Sequence, residues 1–202
     1  MNKNLETTLI QIHGPASSGK TTVANELANR IGGIVCDEII RKVGDIDLHK
    51  LAIDGNYAFK KELQLLKLHY KELETKLKDS IENGGTKYVI ADRSLQCYGN
   101  YLKLYLVTSG TNVEDYLDYT LKMDFLVSHY HNKLKELCGN RMYIFGFDSV
   151  GFKDDGFRYS PDYELEKEIF MLDRMINRDK IQTVGSLDNN KRLEQIISYI
   201  MK

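Results

Sequence analysis

Residues 12–22 read IHGPASSGKTT, with two glycines five residues apart followed by a lysine and two threonines. The pattern G-x-x-x-x-G-K-[ST] is that of a phosphate-binding loop, or P-loop, which requires a strand before it and a helix after it. Residues 9–12 form a short apolar run, and apolar side chains recur at helical spacing after Lys20. The stretch therefore predicts a strand, a P-loop and a helix that together bind a nucleoside triphosphate.

The residue types in this loop suit phosphate binding. Glycine lets the backbone wrap so that successive N–H groups point at the phosphates, and the positive end of the following helix adds to the attraction. Lys20 brings a mobile charge to the outer phosphates and is a predicted catalytic residue, while the Thr21 hydroxyl suits Mg²⁺. The predicted ATP-binding residues are Gly14, Pro15, Ala16, Ser17, Ser18, Gly19, Lys20, Thr21 and Thr22.

The 202-residue chain has the composition of one domain, 1–202, with 28 basic and 29 acidic residues and a formal net charge of −1. Nucleic-acid-binding proteins usually have a basic excess, so we expect no nucleic-acid partner. No apolar run approaches the ~20 residues of a membrane span, and the 3 widely spaced cysteines argue against a disulfide framework or a zinc site. We expect a cytoplasmic protein with a small-molecule substrate. The sequence does not decide between a monomer and a homodimer.

Five short apolar runs alternate with helical patterns along the chain. The predicted strands are 9–12, 34–36, 88–91, 142–145 and 181–184. Helices are predicted over 20–31, 59–81, 95–108 and 113–138, from Ser160-Pro161 onward and at 193–200, while 45–56 has the composition of a loop. Alternating strands and helices predict an α/β class, three-layer P-loop NTPase fold with a parallel, five-stranded sheet flanked by helices. The strand order does not follow from the sequence.

Residues suited to ligand binding come soon after four of these strands, namely Gly14, Asp37, Asp92 and Asp148. Ligands of such sheets bind beyond the carboxyl ends of the strands. Asp92 is predicted to hold magnesium together with Thr21, because a P-loop protein needs a carboxylate there. Arg93 is predicted to be catalytic, since its bidentate fork suits phosphoryl oxygens, although pairing with nearby acids is an alternative role.

A second acidic pair follows the second strand. Asp37 and Glu38 precede Arg41, so that one acid and one base share a face of a helical turn. A carboxylate there could accept the proton of an attacking hydroxyl, and Arg41 could anchor the acceptor. Without the other motifs, a surface ion pair would be the simpler interpretation. We predict Asp37, Glu38, Arg41 and Arg93 as acceptor-binding residues.

The stretch 149–178 is predicted to act as a lid, because long loops after a strand often close over a substrate. Its DDGFR sequence at 154–158 contains Arg158, and the following helix carries Arg174 and Arg178. An arginine closing over the triphosphate would stabilise the transferring charge. The sequence leaves open which of these three arginines does so, and a solvated charged loop is the alternative.

Four motifs occur in an order that resembles a known family: the P-loop, DEIIR at 37–41, ADRSLQCYGNY at 91–101 and DDGFRY at 154–159. The chain resembles the P-loop AAA-domain family of the ribosylnicotinamide kinase type, which is related to deoxynucleoside and thymidylate kinases. The resemblance implies MgATP and phosphoryl transfer to a small nucleoside-like acceptor. It matches Glu38 and Arg41 to a Glu-x-x-Arg pattern, residues 92–94 to an Asp/Glu-Arg-Ser triplet and Arg158 to a catalytic lid arginine.

Two functions fit these observations. The first is an ATP-dependent kinase whose acceptor is a nucleoside, ribosylnicotinamide or a nucleoside monophosphate. The second is a nucleotide-binding regulatory ATPase without a small-molecule acceptor. Glu38 distinguishes them, because only a kinase needs a carboxylate for the acceptor hydroxyl.

Overall fold

The structure is a computed structural model that describes residues 7–44, 46–82, 87–139, 141–148, 160–185 and 188–202. Its strands are β1 (Thr8–His13), β2 (Ile34–Cys36), β3 (Tyr88–Ala91), β4 (Met142–Phe147) and β5 (Ile181–Val184). Its α-helices are α1 (Lys20–Ile31), α2 (Leu48–Ile53), α3 (Gly55–Glu82), α4 (Gln96–Thr108), α5 (Val113–Leu137), α6 (Tyr163–Ile176) and α7 (Asn189–Ile200). A short 3-10 helix covers Ile39–Arg41. All five predicted strands are confirmed.

The five strands form one parallel sheet in the order β2-β3-β1-β4-β5. One buried cluster, which includes Ile10, Ile12 and Leu27, joins the sheet to α1 and α7. A larger cluster, which includes Leu9 and Leu66, joins the opposite face to α3, α4 and α6. Helices therefore cover both faces, and the predicted three-layer α/β fold is confirmed.

The strand order places the functional residues in a row. Because β2, β3 and β1 are parallel neighbours, their carboxyl ends lie at one edge of the sheet. The residues directly after these strands are Asp37, Asp92 and Gly14. The sheet thus brings the P-loop, the Asp92-Arg93 pair and the Asp37-Glu38 pair side by side.

Two local predictions are wrong. The predicted loop over 45–56 contains α2 and the start of α3, because its aspartates are helix caps: Asp47 accepts from the Lys50 N–H, and Asp54 accepts from the Tyr57 N–H. The helix predicted from Ser160-Pro161 begins instead after Asp162, whose side chain accepts from the Leu165 N–H. At each of these three helix starts, an aspartate side-chain oxygen accepts a hydrogen bond from a backbone N–H of the first turn.

Candidate active site

The backbone of the P-loop takes the conformations that its glycines permit. Gly19 has a φ of 85°, in the left-handed region that favours glycine, and Ser17 has a φ of 56°. A Cβ atom on Gly14 would lie 2.9 Å from the Phe147 carbonyl oxygen and 2.9 Å from Ser18 Oγ. Glycine at 14 thus lets the loop pass close to the end of β4, and glycine at 19 lets it turn into α1.

Lys20 lies over this loop. Its ammonium donates hydrogen bonds to the carbonyl oxygens of Gly14 at 2.9 Å and Pro15 at 2.6 Å, and the side chain is buried. A buried ammonium concentrates positive charge where the loop wraps, which is what an incoming phosphate requires. The geometry is that of an anion-binding loop with its cation in place.

Thr21 and Asp92 lie together beside the loop. The Thr21 hydroxyl donates to Asp92 Oδ2 at 2.7 Å, and Asp92 is buried. Burial raises the pKa of Asp92, although Thr21, Lys20 and Arg93 oppose that shift. Within the part of the chain that the structure describes, Asp92 Oδ1 has no hydrogen-bond partner. A hydroxyl next to a carboxylate with a spare oxygen is a donor set that suits Mg²⁺, so these residues fit the predicted metal.

Glu38 is held between two arginines. Arg93 donates to Glu38 Oε1, and the Glu38 and Arg93 side chains are only 2% and 6% exposed. Arg41 Nε lies 3.5 Å from Glu38 Oε2, and its side chain is 38% exposed. Burial opposes the charge on Arg93, but Glu38, Tyr101, Tyr98 and Cys97 together outweigh burial and raise the arginine pKa. Glu38 therefore sits in a buried charge pair, which differs from the surface ion pair considered as the simpler interpretation.

Two further predicted site residues, Asp37 and Thr22, are exposed. The Asp37 side chain is 62% exposed, and its carboxylate lies 3.9 Å from the Lys42 ammonium. Thr22, in the first turn of α1, is exposed. Of the two neighbouring acids, only Glu38 faces the P-loop edge together with Arg93.

Two buried side chains from distant helices hold the P-loop and were missed by sequence reasoning. Glu166 of α6 accepts from the Ala16 N–H and from the Tyr101 hydroxyl, the latter at 2.9 Å. Arg192 of α7 donates to the Ser18 carbonyl oxygen and to that of Asp148. Little in the sequence marks these two residues as functional, because each is one of several charged residues in an amphipathic helix.

His13, at the end of β1, was also not predicted to take part. Its Nδ1 lies 2.9 Å from Ser94 Oγ, and its Nε2 lies 3.3 Å from an Asp173 carboxylate oxygen. The ring is buried against Phe170 of α6. His13 thus joins the strand before the P-loop to the Asp92-Arg93-Ser94 turn and to α6.

Only part of the predicted lid lies within the described residues. Arg158, like the rest of 149–159, lies outside them. Arg174 of α6 contacts the Asp148 carboxylate, and Arg178 is exposed in the turn after α6. Which arginine covers the triphosphate stays a prediction, and so does the lid itself.

A family model described as an AAA domain matches residues 9–140, which include the P-loop, Glu38 and Asp92. The chain belongs to the AAA domain family. No curated protein matches this AAA domain by sequence. Among the described residues, no helix has the length and apolarity to cross a bilayer.

Solved structures share the fold of this AAA domain. Deoxyadenosine kinase from M. mycoides with bound dATP has a TM-score of 0.65 and 16% identity, covering 96% of this chain and 100% of that one. Thymidylate kinase from Candida albicans has a TM-score of 0.60 and 16% identity, covering 97% and 92%. NadR in complex with NR has a TM-score of 0.58 and 17% identity, covering 98% of this chain and 52% of NadR. The suspected relatives are thus confirmed at the level of the fold.

Proposed function

We propose that the protein is an ATP-dependent kinase. It transfers the γ-phosphoryl group of ATP to a hydroxyl or phosphate of a small nucleoside- or nucleotide-like acceptor. The single observation that carries the proposal is the buried Glu38–Arg93 pair, which stands beside Asp92 at the edge of the sheet that holds the P-loop. The structural relatives, kinases of deoxyadenosine and thymidylate and a protein solved with NR, support this acceptor class.

The nucleotide would be bound by the residues around the P-loop. Lys20 would turn from the loop carbonyls to the outer phosphates, and Thr21 and Asp92 would hold Mg²⁺ through oxygen ligands. When bound, Mg²⁺ neutralises charge that develops on the phosphates. The helix α1, which starts at Lys20, directs its positive end at the same place.

Glu38 would act on the acceptor. Its carboxylate accepts the proton of the acceptor hydroxyl as that oxygen bonds to the γ-phosphorus and the bond from the γ-phosphorus to ADP breaks. Arg93 already faces Glu38 and, with its planar fork, can bond a phosphoryl oxygen at the same time. Arg41, on the exposed side of Glu38, would hold the outer part of the acceptor.

The regulatory ATPase is less well supported. A protein that only binds and slowly hydrolyses ATP has no acceptor hydroxyl for Glu38 to contact, whereas burying the Glu38–Arg93 pair costs free energy that an acceptor contact would offset. The near-zero net charge also supports a small acceptor over a polynucleotide.

Phosphate transfer from γ-labelled ATP tests the proposal. The wild type and Lys20→Ala are incubated with Mg²⁺ and a panel of nucleosides, nucleoside monophosphates and ribosylnicotinamide. We expect a labelled acceptor from the wild type alone. Labelled inorganic phosphate without a labelled acceptor, across the whole panel, would contradict the kinase and favour the regulatory ATPase.

A further inference from the structure

A cavity of about 500 Å³ lies between α4, α5 and α6. Small-molecule sites in proteins have this size. Lys135, near the end of α5, and Lys180, directly before β5, line one end of the cavity. This end therefore lies towards the amino ends of β4 and β5, whereas the P-loop follows the carboxyl end of β1 in the same parallel sheet. The cavity offers a ligand a place outside the candidate active site.

Positive charge collects at this end of the cavity, which we call the lysine end and which consists of Lys135, Lys180 and His131. The same three side chains line a smaller cavity of about 260 Å³, so they lie where the two cavities meet. Within the described residues, neither ammonium is in an ion pair, and Asp179 lines only the smaller cavity. Burial, together with Lys180 and Lys135, lowers the pKa of His131 to about 4. At neutral pH, two ammoniums therefore lie beside an uncharged imidazole.

The acids of the larger cavity are already paired. Asp124 Oδ1 lies 3.4 Å from the Lys103 ammonium. The Asp173 carboxylate accepts hydrogen bonds from the side-chain amides of Asn100 at 2.9 Å and Asn177 at 2.7 Å. These acids therefore do not balance the charge of the lysine end, and a concave surface with an excess of positive charge attracts anions.

Helix α6 joins the cavity to the P-loop. An Asp173 carboxylate oxygen lies 3.3 Å from Nε2 of the buried His13, which directly precedes Gly14. Two turns earlier on the same helix, Glu166 accepts from the Ala16 N–H. A ligand that displaces α6 therefore changes the contacts of the loop at two points, and such a link makes the two sites affect each other's affinity.

We propose that this cavity binds a small molecule with a phosphate group, and that the bound molecule alters the affinity of the P-loop for nucleotide. A phosphate dianion balances the two ammoniums of the lysine end, since lysine binds phosphate as a point charge. Gln96 Nε2 lies 3.3 Å from His131 Nδ1, so Nδ1 accepts and the Nε2–H is left to donate to a further phosphate oxygen. Ser128 and Asn132, elsewhere on the wall, suit the uncharged polar body of the molecule. The site goes beyond the proposed kinase activity and does not depend on it.

NMR spectroscopy of the whole chain tests the site. The imidazole resonances of His131 are assigned with His131→Gln and are followed at pH 7 and about 0.15 M salt while a probe is added. The probes are inorganic phosphate, ribose 5-phosphate and ribose. We expect a saturable shift with ribose 5-phosphate at a Kd below about 1 mM, about 10-fold weaker binding of inorganic phosphate, and no shift with ribose.

Exposed lysines on and off the cavity provide the matched variants. Lys135→Ala and Lys180→Ala should each weaken ribose 5-phosphate binding by about 10-fold, because each removes one of the two charges. Lys133→Ala is the control, since Lys133 is exposed on the same helix as Lys135 but does not line the cavity. Equal melting temperatures check the fold. A shift that does not saturate, or that persists in both cavity variants with unchanged affinity, would overturn the site and show surface attraction only.

The same titration with and without a saturating non-hydrolysable ATP analogue and Mg²⁺ tests the link to the P-loop. We expect the Kd of ribose 5-phosphate to change by about 3-fold or more in the wild type. In Asp173→Asn, which removes the charge next to His13, the change should be less than about 2-fold. Equal Kd values in the wild type with and without the analogue would overturn the link through α6. Phosphate transfer is measured separately, so failure of this site leaves the kinase proposal untouched, and failure of transfer leaves this site untouched.

Discussion

The two ends of the candidate site differ in how their polar groups are held. At the nucleotide end, Lys20 bonds loop carbonyls, Glu166 bonds a loop N–H and Arg192 bonds the Ser18 carbonyl. At the proposed acceptor end, the Glu38 carboxylate instead accepts from Arg93 in a buried charge pair. The first end is a preformed anion-binding loop of a kind that many proteins contain. The second is a charge pair that, in the proposed kinase, contacts the acceptor.

The largest effect should come from removing the cation of the nucleotide end. We expect Lys20→Ala to lower acceptor phosphorylation by about 10³-fold or more, because the transferring phosphates lose their nearest fixed charge. Label transfer measures it. Lys122→Ala is the matched control, since that lysine is 58% exposed on α5 and should change nothing. A Lys20→Ala enzyme within about 10-fold of wild type would place the nucleotide elsewhere.

Two arginines contact Glu38, one in a buried and one in an exposed charge pair, and replacing each in turn compares the two pairs. Arg93→Met leaves Glu38 buried without its main partner and should lower the free energy of unfolding by about 3 kcal/mol. Arg41→Met removes an exposed partner and should cost less than about 1 kcal/mol. Urea unfolding of both variants gives the difference. An equal loss of free energy of unfolding in the two variants would mean that water reaches both charge pairs equally, which would contradict their different exposures.

A buried acid of α3, Glu62, should also make stability depend on pH. The Glu62 pKa is about 8 in the folded protein against an ordinary value of 4.5, so between these pH values the folded state binds a proton that the unfolded state lacks. Stability must therefore fall as the pH rises through this window. We expect the wild type to lose about 3 kcal/mol relative to Glu62→Gln between pH 5 and pH 8. Urea unfolding measures the free energy of unfolding of both proteins at both pH values. If the difference between the two proteins is the same at pH 5 and pH 8, Glu62 is solvated and the prediction is wrong.

A smaller effect is expected at the support of the P-loop. Arg192 is buried, contacts the carbonyls of Ser18 and Asp148 together and lies over the Phe147 ring. Arg192→Lys has a single ammonium that cannot make both contacts, so ATP affinity should fall by about 10-fold. Calorimetry measures this, with Arg30→Lys on the exposed part of α1 as the control. Unchanged affinity would mean that the loop keeps its shape without Arg192.

The nucleotide end could be predicted from the sequence because its information is local. Eight consecutive residues, 14–21, specify the P-loop, and the apolar positions on either side specify the strand and the helix. Asp92 and Glu38 could be placed at the same edge because each follows a strand, although the strand order that makes them neighbours came only from the structure.

The buried polar positions of α3 could not be predicted, because the residues that bury them are spread over the chain. Glu62 and His69 lie between apolar residues of α3 and read as ordinary polar positions, although their spacing from Ala58, Leu66 and Leu73 follows the buried face. That spacing was the available signal. Their environment depends on α4 and on the turn after β3, which the topology alone brings together.

Glu38→Gln tests the central claim most directly, since Glu38 separates a kinase from a nucleotide-binding regulatory protein. We measure acceptor phosphorylation and the ATP dissociation constant for the same preparation. The account predicts a loss of about 10²- to 10³-fold in acceptor turnover, because the amide cannot accept the proton, with ATP affinity nearly unchanged. Turnover within about 3-fold of wild type would contradict the role of Glu38 and with it the proposed kinase mechanism.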